Sequence, residues 1–147
     1  MRAFGGTESP QNGPTREEVS VLIREGVITG VLDEDESEMV EGVLDLAELR
    51  AEEVMQPKPK VVFLHAGDTV ETVRPLVLEA ALDVFPVVEG NRDQVLGTVS
   101  LRELFSADNA QAQLSSLARP PVFVPENQPA LSLLESLRSA PHNAALV

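Results

Sequence analysis

The sequence has 147 residues, of which 43% are hydrophobic but only 3% aromatic, with no cysteine, tryptophan or tyrosine and a formal net charge of −13. That length suits one ordinary domain or two very small ones, with a core of Val, Leu, Ile and Ala. The composition excludes disulfides and thiolate metal sites, argues against nucleic acid or an anionic membrane surface as partner, and contains neither a membrane-length apolar run nor an apolar signal core.

In chain order, residues 1–14 read as a flexible lead-in rich in Gly, Pro, Ser and Asn. Thr15 to Glu18 is a capping box that opens a first helix, with Val19, Leu22, Ile23 and Val27 at helical spacing and Gly26 and Gly30 marking its end. The acidic run from Asp33 to Glu38 imitates a calcium loop. It fails as one because Glu38 replaces the turn glycine and Leu44 the final glutamate. Acids at a helix N-terminus explain it instead, and the helix they open runs to about Leu49. Its face of Met39, Val40, Val43, Leu44, Leu46, Ala47 and Leu49 needs burial against a further domain or another chain. Residues 15–50 thus form a helical connector.

Pro57 and Pro59 end the helical region. Val61 to Leu64 reads as a strand closed by His65. Asp68 is the expected N-cap of the next helix, with Glu71 as its box partner and Val70, Val73, Val77 and Ala80 on one face; Pro75 predicts a kink.

Asp83 to Phe105 is the central stretch. Val84 to Val88 is a strand whose Pro86 suits an edge or a strand end. Glu89 to Asp93 is a turn. Val95 to Val99 is a second strand, in which Gly97 permits a close backbone approach. Ser100 then caps a short helix with Glu103 three residues on. This Ser-x-x-Glu reads equally as a capping box that needs no ligand and as part of a binding site, and one arrangement can serve both. On position alone, Arg102 in the first turn is the best phosphate candidate.

Asp108 to Gln113 reads as a linker, Leu114 to Leu117 as one helical turn, and Pro120 to Pro125 as a short strand. Pro129 opens a helix to about Ser139 with Leu133, Leu134 and Leu137 inward, and Ala144 to Val147 begins a strand. Shifting the sequence by 60 residues lays Val62-Phe63-Leu64 on Val122-Phe123-Val124, Val73 and Val77 on Leu133 and Leu137, and Val84 to Val87 on Ala144 to Val147. Two copies of a strand-helix-strand-strand-helix unit follow, the first over 51–107 and an incomplete second over 114–147.

Phe85-Pro86-Val87-Val88, followed by Gly97-Thr98-Val99-Ser100-Leu101-Arg102-Glu103, resembles a CBS domain. That signature is a hydrophobic-proline strand, then Gly, two apolar-type residues, Ser or Thr, two residues, and Asp. Glu103 stands here in place of the Asp. In order along the chain, Glu17 to Val19 through Gly26, Gly30 to Leu32 with Met39, Glu53-Val54-Met55-Gln56-Pro57-Lys58, Arg119 to Glu126 and Ser139 to Val147 are similar to the cytosolic part of CorC/HlyC-type proteins, relatives of the cyclin M magnesium transporters. The resemblance covers about nine tenths of the chain.

It implies an α/β fold of the α+β kind: tandem CBS motifs (a Bateman module) with short three-stranded sheets and flanking helices, behind the connector. It further implies a non-catalytic regulatory sensor of adenine nucleotide, ATP or AMP with magnesium, which forms a homodimer. In the intact protein the sensor would serve a membrane domain that exports magnesium or cobalt, from the cytoplasmic face. The nucleotide would sit near Val62, Phe63, Pro86, Val87, Ser100 and Glu103, with Arg102 as a phosphate contact. The alternative is a ligand-free structural and dimerisation module. Gln56 replaces the family's Thr, and the second motif's Thr-x-x-Asp would lie beyond Val147.

No P-loop, dinucleotide, nucleophile-elbow or zinc-helix motif is present, so catalysis has no support. The repeat places His65 and His142 at different structural positions, against a shared metal site. His142 reads as a strand-entry residue in a polar turn, and Lys58, Lys60 and Arg119 as solvated charges.

Overall fold

The computed structural model describes residues 13–106, 108 and 110–147, so most of the predicted lead-in lies outside the described residues. These residues fall into two units that meet at Leu46 and Ala47.

The first unit holds helix α1 (Arg16–Ile28) and most of α2 (Glu34–Glu48). Both start as their sequences require. The Thr15 hydroxyl accepts from the Glu18 N–H while the Glu18 carboxylate accepts from the Thr15 N–H. Asp33 and Glu36 make the same reciprocal pair ahead of α2, so the first acid of the calcium-loop imitation serves as a helix cap. Gly26 lies inside α1, against Leu32, rather than ending it. The ending falls to Gly30 at φ +76°, a conformation glycine adopts without a Cβ penalty, and the Val31 N–H closes back on the Gly26 carbonyl. Ile23 is buried. Among the described residues Leu22 and, on the predicted α2 face, Met39, Val40 and Val43 are exposed, while Leu44, Leu46 and Leu49 of that face are half-buried.

The second unit begins with the short α3 (Ala51–Val54), followed by a 3-10 turn over Lys58–Lys60. That turn shortens the expected Val61 to Leu64 strand: the prolines hold the chain out of the sheet until β1 (Leu64–His65). The three-stranded sheet has the order β1-β2-β3, with β2 (Val84–Val88) and β3 (Val95–Ser100) antiparallel and β1 parallel to β2. Pro86 is therefore in the central strand, not at an edge. It is tolerated because its antiparallel partner Thr98 turns its N–H and carbonyl away, to Arg119, while β1 pairs only with Val87 and Val88. No ladder bond is lost.

Helix α4 (Val70–Ala80) covers the sheet. Thr69, not Asp68, is its N-cap, accepting from the Thr72 N–H. The helix runs unbroken across Pro75, because Val70 and Val73 before the proline and Val77 after it are all fixed in the core. The expected linker after helix α5 (Leu101–Ser106) is not free: the carbonyls of Ala110 and Ala112 accept from Glu71 and Val70, two donors the start of α4 would otherwise leave open. Phe85, Val87, Val99, Leu104 and Leu114, the last in α6 (Leu114–Leu117), complete this core.

The second repeat is built the same way with less of it. Val124 donates to the Leu146 carbonyl and Leu146 to the Val122 carbonyl, a parallel bridge with the offset along the chain that separates Leu64 from Val87. Above it lies α7 (Ala130–Ser139), where Leu133 and Leu137 pack inward but Leu134 stands exposed. Ala51, fully buried, joins Val124 and Leu133 in this second core. The α3 segment, which opens the first repeat, is thus bound to the second: Ala51 and Glu52 donate to the Gln128 and Glu126 carbonyls, and Ala130 to Leu49.

Candidate functional site

Among the described residues of the second unit, cavities open in two places that bear on the predicted site. The larger, about 600 Å³, lies on the face of β2 and β3 turned away from the first core. Alternation puts Gly97 and Val99 toward that core and Thr98 toward the cavity. Phe63, Val84, Pro86, Phe123 and Leu146 give it apolar walls. Lys58 and Arg92 bring positive charge, with Lys58 paired to Asp93 and Arg92 lying 5.4 Å over the Phe63 ring. The smaller, about 480 Å³, is lined by Asp83, Val84, Ser100, Leu101, Arg102, Phe105, His142 and Asn143.

The sequence-predicted residues are divided between these places instead of sharing one cleft. Phe63 and Pro86 line the larger cavity. Ser100 and Arg102 line the smaller. Val62 packs against the first core and Val87 is fully buried within it, so their side chains face hydrophobic neighbours. The missing signal was strand phase: a short apolar run such as Val84 to Val88 does not show which side faces the core.

Glu103 has a different setting. One carboxylate oxygen accepts from the Ser100 N–H at 3.0 Å and from its hydroxyl at 3.0 Å, while the Glu103 N–H donates to Ser100 Oγ. That is the capping box foreseen in the sequence. The other oxygen accepts from Arg119 Nε at 2.6 Å, and His142 Nε2 lies 2.7 Å from the first. Burial opposes the carboxylate's charge, yet the Ser100 N–H, Arg119, His142 and the Ser100 hydroxyl outweigh it, and its pKa falls from 4.5 to about 2. The carboxylate is committed to these partners.

Arg119 and His142 were not legible as members of this cluster. Arg119 is brought in by backbone pairing: it exchanges both N–H···O bonds with Thr98, at 2.9 and 2.8 Å, so close to Gly97 that a Cβ there would lie 2.3 Å from the Arg119 carbonyl oxygen. His142 does sit in a polar turn, at φ +60°, with Nδ1 3.1 Å from Thr98 Oγ1. A non-glycine residue held in this region marks a turn fixed by its surroundings. Among the described residues, no group of three or more His, Cys, Asp or Glu is placed to hold a metal ion.

Residues 51–110 match the CBS domain family. The chain is 33% identical to the magnesium and cobalt efflux protein CorC of Pasteurella multocida over 135 residues, 90% of this chain and 45% of that protein; it thus spans about half the length of that curated relative. Among solved structures it is similar to the CBS domain of the bacterial CNNM/CorC family Mg2+ transporter, with 27% identity, a TM-score of 0.74, and coverage of 86% of this chain and 79% of the other. It is likewise similar to the structure of that family's domain in complex with ATP, with 30% identity, a TM-score of 0.64, and coverage of 71% and 77%. Fold, sheet order and these matches agree, and the chain belongs to the CBS-domain modules of the bacterial CNNM/CorC family.

Proposed function

We propose that this module is a non-catalytic sensor that binds an adenine nucleotide, ATP or AMP with magnesium, in the larger cavity. The carrying observation is that cavity's composition: apolar faces of Phe63, Pro86 and Phe123 suited to a base, beside the cations Lys58 and Arg92 suited to phosphates. Its volume is within the range that holds a small ligand. When bound with the nucleotide, magnesium would offset the charge of its phosphates. Ser100 and Arg102 are the candidate contacts of the smaller cavity, while Val62 and Val87 pack behind the strands and Glu103 holds Arg119, the backbone partner of Thr98. The ATP complex of the related domain and the CorC name of the relative favour the same reading. Occupancy would then regulate a membrane domain of the intact protein that moves magnesium or cobalt, with this module on the cytoplasmic side. No helix among the described residues is long and apolar enough to cross a membrane.

A thermal-shift titration with ATP, ADP and AMP, each with and without magnesium, tests it. Ligand at a hundredfold excess over Kd stabilises the native state by about 2.7 kcal/mol. Phe63→Ala with Arg92→Ala should remove the shift and Ser100→Ala should retain it. No shift for the unaltered protein at millimolar nucleotide would sink the reading.

One observation favours a second reading, dimerisation without ligand: Met39 and Val43 on α2 are 72% and 53% exposed, an apolar stripe that association would cover. A monomer by light scattering at high concentration would count against it.

A further inference from the structure

Thr98 and His142 are a polar pair linking the two cavities. Thr98 lines the larger and His142 the smaller, and their side chains meet at 3.1 Å. Thr98 is 4% exposed, and its backbone N–H and carbonyl are both spent on Arg119, leaving the hydroxyl as its variable group. We propose that the protonation state of His142 sets the hydrogen-bonding polarity of the Thr98 hydroxyl toward the larger cavity, making Thr98 an acceptor when His142 is neutral and a donor to an anionic ligand when it is charged. This rests on the nucleotide reading of that cavity and makes His142 a positioning residue for its ligand.

Glu103 is ionised and can only accept, so the Nε2 that lies 2.7 Å from its oxygen must carry a proton in either form of the ring. The contact is too poorly aligned for a directed hydrogen bond, yet a bare Nε2 would set its lone pair 2.7 Å from those of the carboxylate oxygen, a repulsion that the Nε2–H tautomer removes. In the neutral ring Nδ1 is then bare, and Thr98 must donate to it. The hydroxyl proton is spent and only oxygen lone pairs face the cavity. Charging the ring adds a proton at Nδ1, and Thr98 Oγ1 must now accept. Its proton is released to point at a phosphate oxygen or ring nitrogen in the cavity. One proton taken up at Nδ1 thus reverses one hydrogen bond, with no other change in bonding.

Charged groups face the imidazole from two sides. Helix α5 presents Glu103, with Arg119 bound to its far oxygen. Asp83 and Arg102 share the smaller cavity with the ring. Strand β3 presents the uncharged Thr98, and on α7 Glu135 and Arg138 form no ion pair with His142 among the described residues. His65, the other histidine, is exposed on β1 and serves as an internal control.

Two measurements on the whole chain decide the matter. In the first, ATP affinity is measured by calorimetry from pH 8 to pH 5.5 for the unaltered protein and for Thr98→Val, which keeps the shape and removes the hydroxyl. Taking the ratio of the two affinities cancels the titration of ATP itself. The ratio should move in favour of the hydroxyl as pH falls, by roughly threefold to tenfold, the contribution of a single hydrogen bond. A ratio constant with pH overturns the proposal. In the second, without ligand, nitrogen-15 NMR of the two imidazoles should show His142 as the Nε2–H tautomer at high pH, with Thr98→Val altering the His142 titration and leaving that of His65 unchanged. An Nδ1–H tautomer, or a titration indifferent to Thr98, overturns the switch whether or not nucleotide binds. Absence of nucleotide binding at every pH overturns the sensor reading, and the coupling to ligand with it.

Discussion

Replacing Glu103 by Gln tests the account of the polar cluster. The amide oxygen can still accept from the Ser100 N–H, so the cap survives in part, while the charged interactions with Arg119 and His142 are lost. The pKa depression from 4.5 to about 2 sets a ceiling on what the charge contributes, because each unit is about 1.36 kcal/mol and the full shift therefore roughly 3 kcal/mol. Solvent screens this strongly, since the Arg119 side chain is 60% exposed and that of Glu103 22%. A loss of about 1–2 kcal/mol at pH 7 is expected. The sign with pH is fixed: a depressed carboxylate pKa stabilises above the unfolded value and loses its contribution as pH falls through the folded one. Urea unfolding of both proteins should show the gap intact at pH 7 and above about 4.5, shrinking toward pH 2. A gap that is equally wide at pH 7 and pH 2.5 would refute the electrostatic account and leave only shape and capping as the role of Glu103.

Two backbone positions should respond in opposite directions. Gly97→Ala drives a Cβ to 2.3 Å from the Arg119 carbonyl oxygen, a backbone atom that cannot rotate away; thermal unfolding should show a loss of at least about 2 kcal/mol, and a neutral result would mean that the Thr98–Arg119 pairing is not rigid. Ala81→Gly should instead raise stability by about 0.5–1 kcal/mol, because Ala81 is exposed and ends α4 at φ +51°, where a Cβ is penalised and glycine is not. A drop in melting temperature would contradict it.

Much of this molecule is decided by neighbours in the chain. The capping boxes at Thr15 and Glu18 and at Ser100 and Glu103 form because their partners are three residues apart, a spacing the backbone itself brings together at a helix start. The sixty-residue repeat is equally local in origin, since each copy carries its own apolar spacing, and the matching bridges Leu64–Val87 and Phe123–Leu146 follow from it. Tertiary structure alone decided what depends on distant segments meeting. Pro86 became central because β1 arrives from one side and β3 from the other. Ala51 entered the second core through backbone bonds to Glu126 and Gln128. Val87 turned inward and Phe63 outward, which no short apolar run specifies. Arg119 and His142 reached Glu103 because Gly97 leaves room for a strand-like pairing with Thr98 and because the turn at His142 holds its ring against β3. A carboxylate shows in sequence that it can cap a helix, but its other partners are set by packing, where the energy of many buried apolar contacts positions a few polar ones.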